Sequence, residues 1–245
     1  MSLLDIAGVS VHFGGVAALT GVDLSVEGGV VTGLIGPNGA GKTTLFNVIC
    51  GLQAPNHGVV HFDGRDITEL KPYQRARLGI ARTFQRLEVF GSMTVRDNIR
   101  VSAEILRDWQ KSSPDPRAVA EEIMVRLGLT AFAAERADEI PTGHARLVEL
   151  GRALAVQPKM LLLDEPSSGL DEFETDDLAK VIRGLAREGL GVLLVEHDVE
   201  FVVGVCKKIH VLDFGRILAV GTPREIQRSP VVQAAYLGTR KPARR

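Results

Sequence analysis

Apolar positions alternate with polar or small ones from Ala7 to Phe13 and again from Gly21 to Val26, the pattern of half-buried strands. The turn Glu27-Gly28-Gly29 leads into a third apolar run, Val30 to Ile35, and Val59 to Phe62 forms a short strand closed by the turn signal Asp63-Gly64. Between them, Thr44 to Cys50 has a helical texture that stops at Gly51, a good residue just past a helix end. From about Arg86 the strand patterns cease. Thr94 is placed to cap a helix running from Val95 to about Trp109, with Asp97 in its first turn. After the loop 112–116, Asp115 and Pro116 read as cap and first residue of a helix ending at Gly128. Met160 to Leu163 is an unbroken apolar run suited to a central parallel strand covered on both faces. A helix from Glu172 to Arg187, a strand from Gly191 to Val195 and a helix from Val199 to Cys206 follow, then a strand pair, Ile209 to Asp213 and Ile217 to Val220, around Phe214-Gly215. Thr222-Pro223, with Glu225 completing a capping box, and Ser229-Pro230 open two short helices. The alternation predicts an α/β fold with a mostly parallel sheet, helices on both faces and no internal repeat. We expect residues 1–85 and 151–245 to form the core, with an N-terminal β portion, and 86–150 to form a helical insertion.

Composition narrows the partners. Of 245 residues, 45% are hydrophobic and 24% charged, as in an ordinary globular domain. Lys+Arg 29 against Asp+Glu 30 gives no bulk attraction to nucleic acid, and no nucleic-acid partner is expected. Cys50 and Cys206 stand far apart and imply neither a disulfide framework nor a zinc site, which fits a reducing compartment. No apolar run approaches the roughly 18 residues that span a bilayer. Met1 to Asp5 lacks the basic and apolar start of a signal peptide, so a cytosolic protein is expected. The basic stretch 238–245 reads as a solvated tail.

One segment carries sharper chemistry. Gly36-Pro37-Asn38-Gly39-Ala40-Gly41-Lys42-Thr43 fits the phosphate-loop pattern G-x-x-x-x-G-K-[ST] at every fixed position, between an apolar strand and a helix that continues through Thr44. Glycines let the backbone turn its N–H groups toward phosphate oxygens, and the helix adds the positive end of its dipole. Lys42 is within reach of the outer phosphates, and Thr43 offers a hydroxyl to Mg²⁺. Downstream, Asp164-Glu165 follows the apolar strand at its carboxyl end, where α/β sheets place ligands. Asp164 has the place of the residue that holds Mg²⁺, and Glu165 is placed to orient or deprotonate a water. Two adjacent carboxylates beside a triphosphate call for a cation, so Mg²⁺ is expected at the site.

The phosphate loop, Asp164-Glu165-Pro166, Ser168-Gly169-Leu170-Asp171 and Glu196-His197-Asp198 together resemble an ABC-type ATPase domain over essentially the whole chain, which implies a P-loop NTPase core with an N-terminal antiparallel β portion. The resemblance implies further roles. Gln85, at the start of the helical insertion, contacts Mg²⁺ or the water and moves with a membrane partner. His197 contacts the γ-phosphate, although a histidine after a buried strand also serves as a helix cap. Asp171 belongs to a loop that signals between subunits. Phe13 stacks on adenine with Val16 nearby, although an aromatic in a first strand also fits a core.

The family's Leu-Ser-Gly-Gly-Gln signature is altered here to Ile140-Pro141-Thr142-Gly143-His144. Pro141 removes the serine hydroxyl, Thr142 offers one a place later, and His144 replaces the glutamine. Gly143 and the helix start remain, and the following helix, with Glu149 and Arg152, matches well. Thr142, Gly143 and His144 are therefore expected to complete the nucleotide site of a second subunit, identical or homologous. Leu45-Phe46-Asn47, the stretch 78–85, the stretch 93–99 and the stretch 235–238 resemble ATP-binding subunits of branched-chain amino acid importers and related importers. This implies a peripheral protein on the cytoplasmic face of the cell membrane, permease subunits docked near Gln85 to Asn98, and a solute-binding protein acting indirectly. A soluble mechanochemical ATPase of the same type, or a nucleotide-binding module with low turnover, remains an alternative at this stage.

Overall fold

This computed structural model describes residues 2–237; Met1 and the basic stretch 238–245, with Gly238 of the importer-like ending, lie outside the described residues. Strands β1 (Ser2–Phe13) and β2 (Val16–Glu27) make an antiparallel hairpin in which Phe13 faces Val16 across Gly14-Gly15. Both run longer than the alternation predicts. Register shifts, as between Ile6 and Val9, break the two-residue period that a sequence reading relies on. Strand β3 (Val31–Ile35) is buried throughout and feeds the loop 36–41 and α1 (Lys42–Cys50). Helix α1 ends on Gly51, as expected, in the left-handed conformation with its N–H returned to Asn47 and Val48 carbonyls.

Next come β4 (His57–Phe62), β5 (Arg65–Asp66), α2 (Pro72–Leu78) and β6 (Ile80–Arg82). The last two had no sequence signal of their own, because two helical turns or three strand residues are too short to show a period. Buried Arg75 of α2 donates to the Val48 and Ile49 carbonyls at 2.6 and 2.9 Å, and to those of Thr68 and Leu70 at 2.7 and 2.9 Å. Its guanidinium thereby caps the carboxyl end of the phosphate-loop helix. Helix α3 (Val95–Trp109) is capped by Thr94 through a bond from the Asp97 N–H, and α4 (Pro116–Arg126) by Asp115. A 3-10 turn at Thr130–Phe132 precedes α5 (Thr142–Ala155).

Strand β7 (Met160–Asp164), α6 (Glu172–Arg187), β8 (Gly191–Val195) and α7 (Val199–Val205) follow the predicted order. The chain then forms β9 (Lys208–Asp213), β10 (Arg216–Gly221), α8 (Pro223–Arg228) and α9 (Pro230–Leu237).

Two sheets result, one of four strands in the order β2-β1-β4-β5 and one of six in the order β10-β9-β3-β8-β7-β6. The first is antiparallel; the second is parallel from β9 to β6, with β10 antiparallel at its edge. Successive residues of β7 feed opposite cores. Leu162 packs with Phe46, Leu45 and Val60 between the sheets, while Leu161 and Leu163 pack with Ile99, Met124, Val148 and Ile182 on the other face. This double burial is why β7 and β8 read as unbroken apolar runs. The carboxyl ends of β3, β7 and β8 and the segment after β6 converge on one edge, where the candidate site lies.

Candidate nucleotide site

Glycine geometry shapes the phosphate loop. A Cβ on Gly36 would lie 2.0 Å from the Leu212 carbonyl oxygen, and one on Gly41 would lie 2.7 Å from that of Ala18. At φ 107°, Gly41 also occupies backbone space that favours glycine, and it stands at the N-cap of α1 with no side-chain cap. No acidic side chain occupies the first turn of α1, so its free N–H groups and dipole are available to an anion. Asn38 and Gly39 are exposed, Pro37 and Thr44 half-buried, and Ala40 buried. Lys42 is buried and folds back over the loop, its Nζ donating to the Gly36 and Pro37 carbonyls at 2.7 and 3.1 Å. Burial pushes its pKa down, opposed by the nearby carboxylates of Glu165 and Asp164. An ammonium held on carbonyls in a partly dry loop has much to gain from phosphate oxygens.

Asp164 closes β7 with its side chain buried. Its Oδ2 pairs with Arg82 Nη2 at 2.8 Å, and Arg82 Nη1 donates to Asn47 of α1 at 2.7 Å. Arg82 thus ties β6, β7 and the phosphate-loop helix together, stacked near Phe46 and Phe84. Nothing in the sequence around Arg82 signals this role, because its partners Asn47 and Asp164 are remote in the chain.

Glu165 sits at φ 50°, a left-handed conformation rare for a side chain of its size. Such strain marks positions that the surroundings hold firmly. Its N–H donates to the Val195 carbonyl at 2.9 Å, its Oε2 accepts from Gln85 Nε2 at 2.8 Å, and its Oε1 lies 3.8 Å from His197 Nδ1. The structure therefore brings Gln85, Glu165 and His197 together. Asp198, next to His197, caps α7 through the Glu200 and Phe201 N–H groups.

The Gln85 segment is fastened from α5. Arg146 donates to the Phe84 and Gln85 carbonyls at 3.1 and 2.8 Å, and Glu149 accepts from the Phe84 N–H at 3.0 Å. Burial raises the Glu149 pKa, opposed by that N–H and by Arg146 and Arg152. Arg152 donates to the Glu88 carbonyl and lies over the Phe90 ring.

The altered signature opens α5. Pro141 is the N-cap, without a side-chain bond to the helix, Thr142 is exposed and Gly143 is buried. A Cβ on Gly143 would fall 2.2 Å from Glu174 Oε1, so a carboxylate of α6 lies beside this helix start. The His144 ring leans on Phe132 at 4.2 Å, with Nδ1 buried. At the far end of the site, Phe13 and Val16 are 52% and 67% exposed at the tip of the β1–β2 hairpin, so neither serves the core.

A strand–loop–helix cradle for phosphate, an acid pair at the carboxyl end of β7 in the same sheet and an exposed aromatic hairpin define a P-loop ATPase. The description "ABC transporter" belongs to a family model that matches residues 19–168, and residues 216–241 match a model described as "Branched-chain amino acid ATP-binding cassette transporter". Curated relatives include the high-affinity branched-chain amino acid transport ATP-binding protein BraF of Pseudomonas aeruginosa, 37% identical over 96% of this chain and 98% of BraF. The lipopolysaccharide export system ATP-binding protein LptB of Acidithiobacillus ferridurans is also 37% identical, over 89% of each chain. Among solved structures, an ATP-binding cassette of an ABC transporter in its ADP conformation superposes with TM-score 0.87 at 33% identity, covering 97% of this chain and 99% of that one. The chain belongs to the ABC transporter family, as one of its ATP-binding, ATP-hydrolysing subunits.

Proposed function

We propose that this chain drives import of branched-chain amino acids or related small polar solutes, as one of two ATPase subunits on the cytoplasmic face of a membrane permease. Support for the solute class comes from the names of relatives such as BraF and from the match over residues 216–241. The observation that carries the ATPase mechanism is Glu165, held in a strained conformation between Gln85 and His197.

In this reading Phe13 and Val16 receive adenine. Residues Gly36, Pro37, Asn38, Gly39, Ala40, Gly41, Lys42, Thr43 and Thr44 wrap the phosphates. Glu165 takes the proton of the attacking water, held in place by Gln85, and His197 contacts the γ-phosphate. The oxygen donors fit Mg²⁺. Asp164 uses Oδ2 for Arg82, while neither its Oδ1 nor the exposed Thr43 hydroxyl has a hydrogen bond among the described residues. No group of three or more His, Cys, Asp or Glu side chains suited to a metal occurs among the described residues, which suits an ion that takes its other ligands from water and phosphate. Thr43, Gln85 and Asp164 would hold that ion, which supplies charge neutralisation on the phosphates.

Thr142, Gly143 and His144 of one subunit face the ATP of the other, whether identical or homologous, through the helix N-terminus rather than a serine hydroxyl. Permease subunits dock near Gln85 to Asn98, and a solute-binding protein acts through them. No helix of the described residues is long and apolar enough to cross a membrane, so translocation is assigned to those partners. Reconstitution in liposomes with the permease subunits of a branched-chain amino acid importer tests the assignment. ATP-dependent uptake of leucine or valine, abolished by Glu165→Gln, is expected. Hydrolysis without uptake of any branched-chain or related amino acid would overturn the solute class and leave the ATPase reading standing.

A further inference from the structure

We infer that Glu196 is a positioning residue for hydrolysis, linking the loop that carries Glu165 to the loop that carries His197. The inference rests on the proposed roles of those two residues. Glu196 directly follows β8, and its side chain is 0% exposed. One oxygen, Oε1, accepts from the Ser167 N–H at 2.9 Å and from the Ser167 hydroxyl at 2.6 Å. The other, Oε2, accepts from the His197 N–H at 3.2 Å. Ser167 lies in the turn that begins at Glu165, where the Ser168 N–H returns to the Glu165 carbonyl at 3.2 Å. The same strand end holds Glu165 directly, through the bond from its N–H to the Val195 carbonyl.

A carboxylate is costly to bury unless donors surround it. Among the described residues no Lys or Arg pairs with Glu196; the one basic side chain within 4 Å of it is the His197 imidazole, whose Nδ1 is 3.8 Å from Oε2. The three donors named above therefore carry its compensation, and they belong to two different loops. If either loop moved alone, the carboxylate would lose a donor in the dry interior, so the two loops keep a fixed relation. Only a carboxylate accepts on both oxygens. Glutamine would turn an NH₂ group either toward the His197 N–H or toward Ser167, placing donor against donor on one side. Aspartate, one methylene shorter, would not span both.

The experiment uses the purified full chain as wild type, Glu196→Gln, Ser167→Ala and the double variant, with Glu165→Gln as control. ATP affinity, kcat, KM and thermal midpoint are measured for each. Loss of one charge-assisted bond predicts that Glu196→Gln lowers kcat about tenfold to a hundredfold, with KM and ATP affinity held within about twofold. Ser167→Ala, which loses one of the two Ser167 bonds, lowers kcat about threefold at unchanged KM. The double variant falls no further than Glu196→Gln alone, because both substitutions cut one link. Unchanged kcat in Glu196→Gln, multiplicative losses, or a loss borne by KM and thermal midpoint with kcat intact would overturn the inference. If Glu196→Gln does not fold, Ser167→Ala alone decides, and an unchanged kcat there overturns it. The underlying reading fails separately, if the wild type binds no ATP or Glu165→Gln hydrolyses at the wild-type rate.

Discussion

Gln85 Nε2 donates to Glu165 Oε2 across 2.8 Å, joining residues 80 positions apart. Each lies just beyond the end of one of two neighbouring parallel strands, β6 and β7, which pair Arg82 with Leu162. The contact gives the segment entering the helical region a direct hold on the residue proposed to activate water. Replacing Glu165 with Gln keeps the shape and removes the base. Hydrolysis should fall about a hundredfold or more, while ATP binding is preserved. Gln85→Ala should leave ATP affinity within about twofold yet abolish stimulation by the permease. Steady-state hydrolysis with and without reconstituted permease measures both. A Gln85→Ala complex that still responds fully to the permease would refute the coupling.

Lys42 is held at the loop by two carbonyls and two nearby carboxylates, and its burial already works against its charge. Phosphate oxygens replace those carbonyls with stronger, charge-assisted partners. Lys42→Ala should weaken ATP binding by about tenfold to a hundredfold. Titration calorimetry of both proteins with ATP gives the comparison, and equal affinities would remove the loop from the phosphate site.

Arg75 donates to four carbonyls, two of them at the far end of the phosphate-loop helix, and is 1% exposed. Arg75→Met keeps the stem and removes every donor, leaving buried carbonyls unpaired. A loss of about 2–4 kcal/mol is expected, and each kcal/mol lowers the midpoint of a domain this large by about 2–4 °C. A melting curve unchanged from wild type would show that water replaces the guanidinium without cost.

His210 makes stability depend on pH. Burial, helped by the Lys208 charge and only partly opposed by the Ser25 backbone, lowers its pKa from 6.5 to about 4, and neither buried ring nitrogen has a hydrogen-bond partner of ordinary geometry among the described residues. The unfolded chain therefore binds a proton near pH 6.5 that the folded chain refuses until about pH 4. Its stabilising contribution is complete above the unfolded value and is lost as pH falls through that window. Between pH 7.5 and 5.5 the loss attributable to this group is about 1.4 kcal/mol. Urea unfolding at the two pH values should show it in the wild type and not in His210→Leu, and equal slopes would exclude His210 as the source.

The phosphate loop was legible in residue order alone, because glycine and lysine spacing there is a local requirement of backbone geometry. So were the central strands, whose double burial demands unbroken apolar runs, and the starts of α3, α4 and α8, whose capping residues lie two or three positions from the groups they satisfy. Features that depend on remote partners emerged only on folding. The helix α2 and the strand β6 are too short to carry a period; α2 is held by Arg75 on the end of α1, and β6 by pairing with β7. The grip of Arg82 on Asp164, of Arg146 and Glu149 on the Gln85 segment, and of Glu196 on Ser167 and His197 was likewise invisible in the chain. Each joins charged or polar groups that gain their strength only when folding removes water from around both, and no local pattern records which remote strand ends will meet.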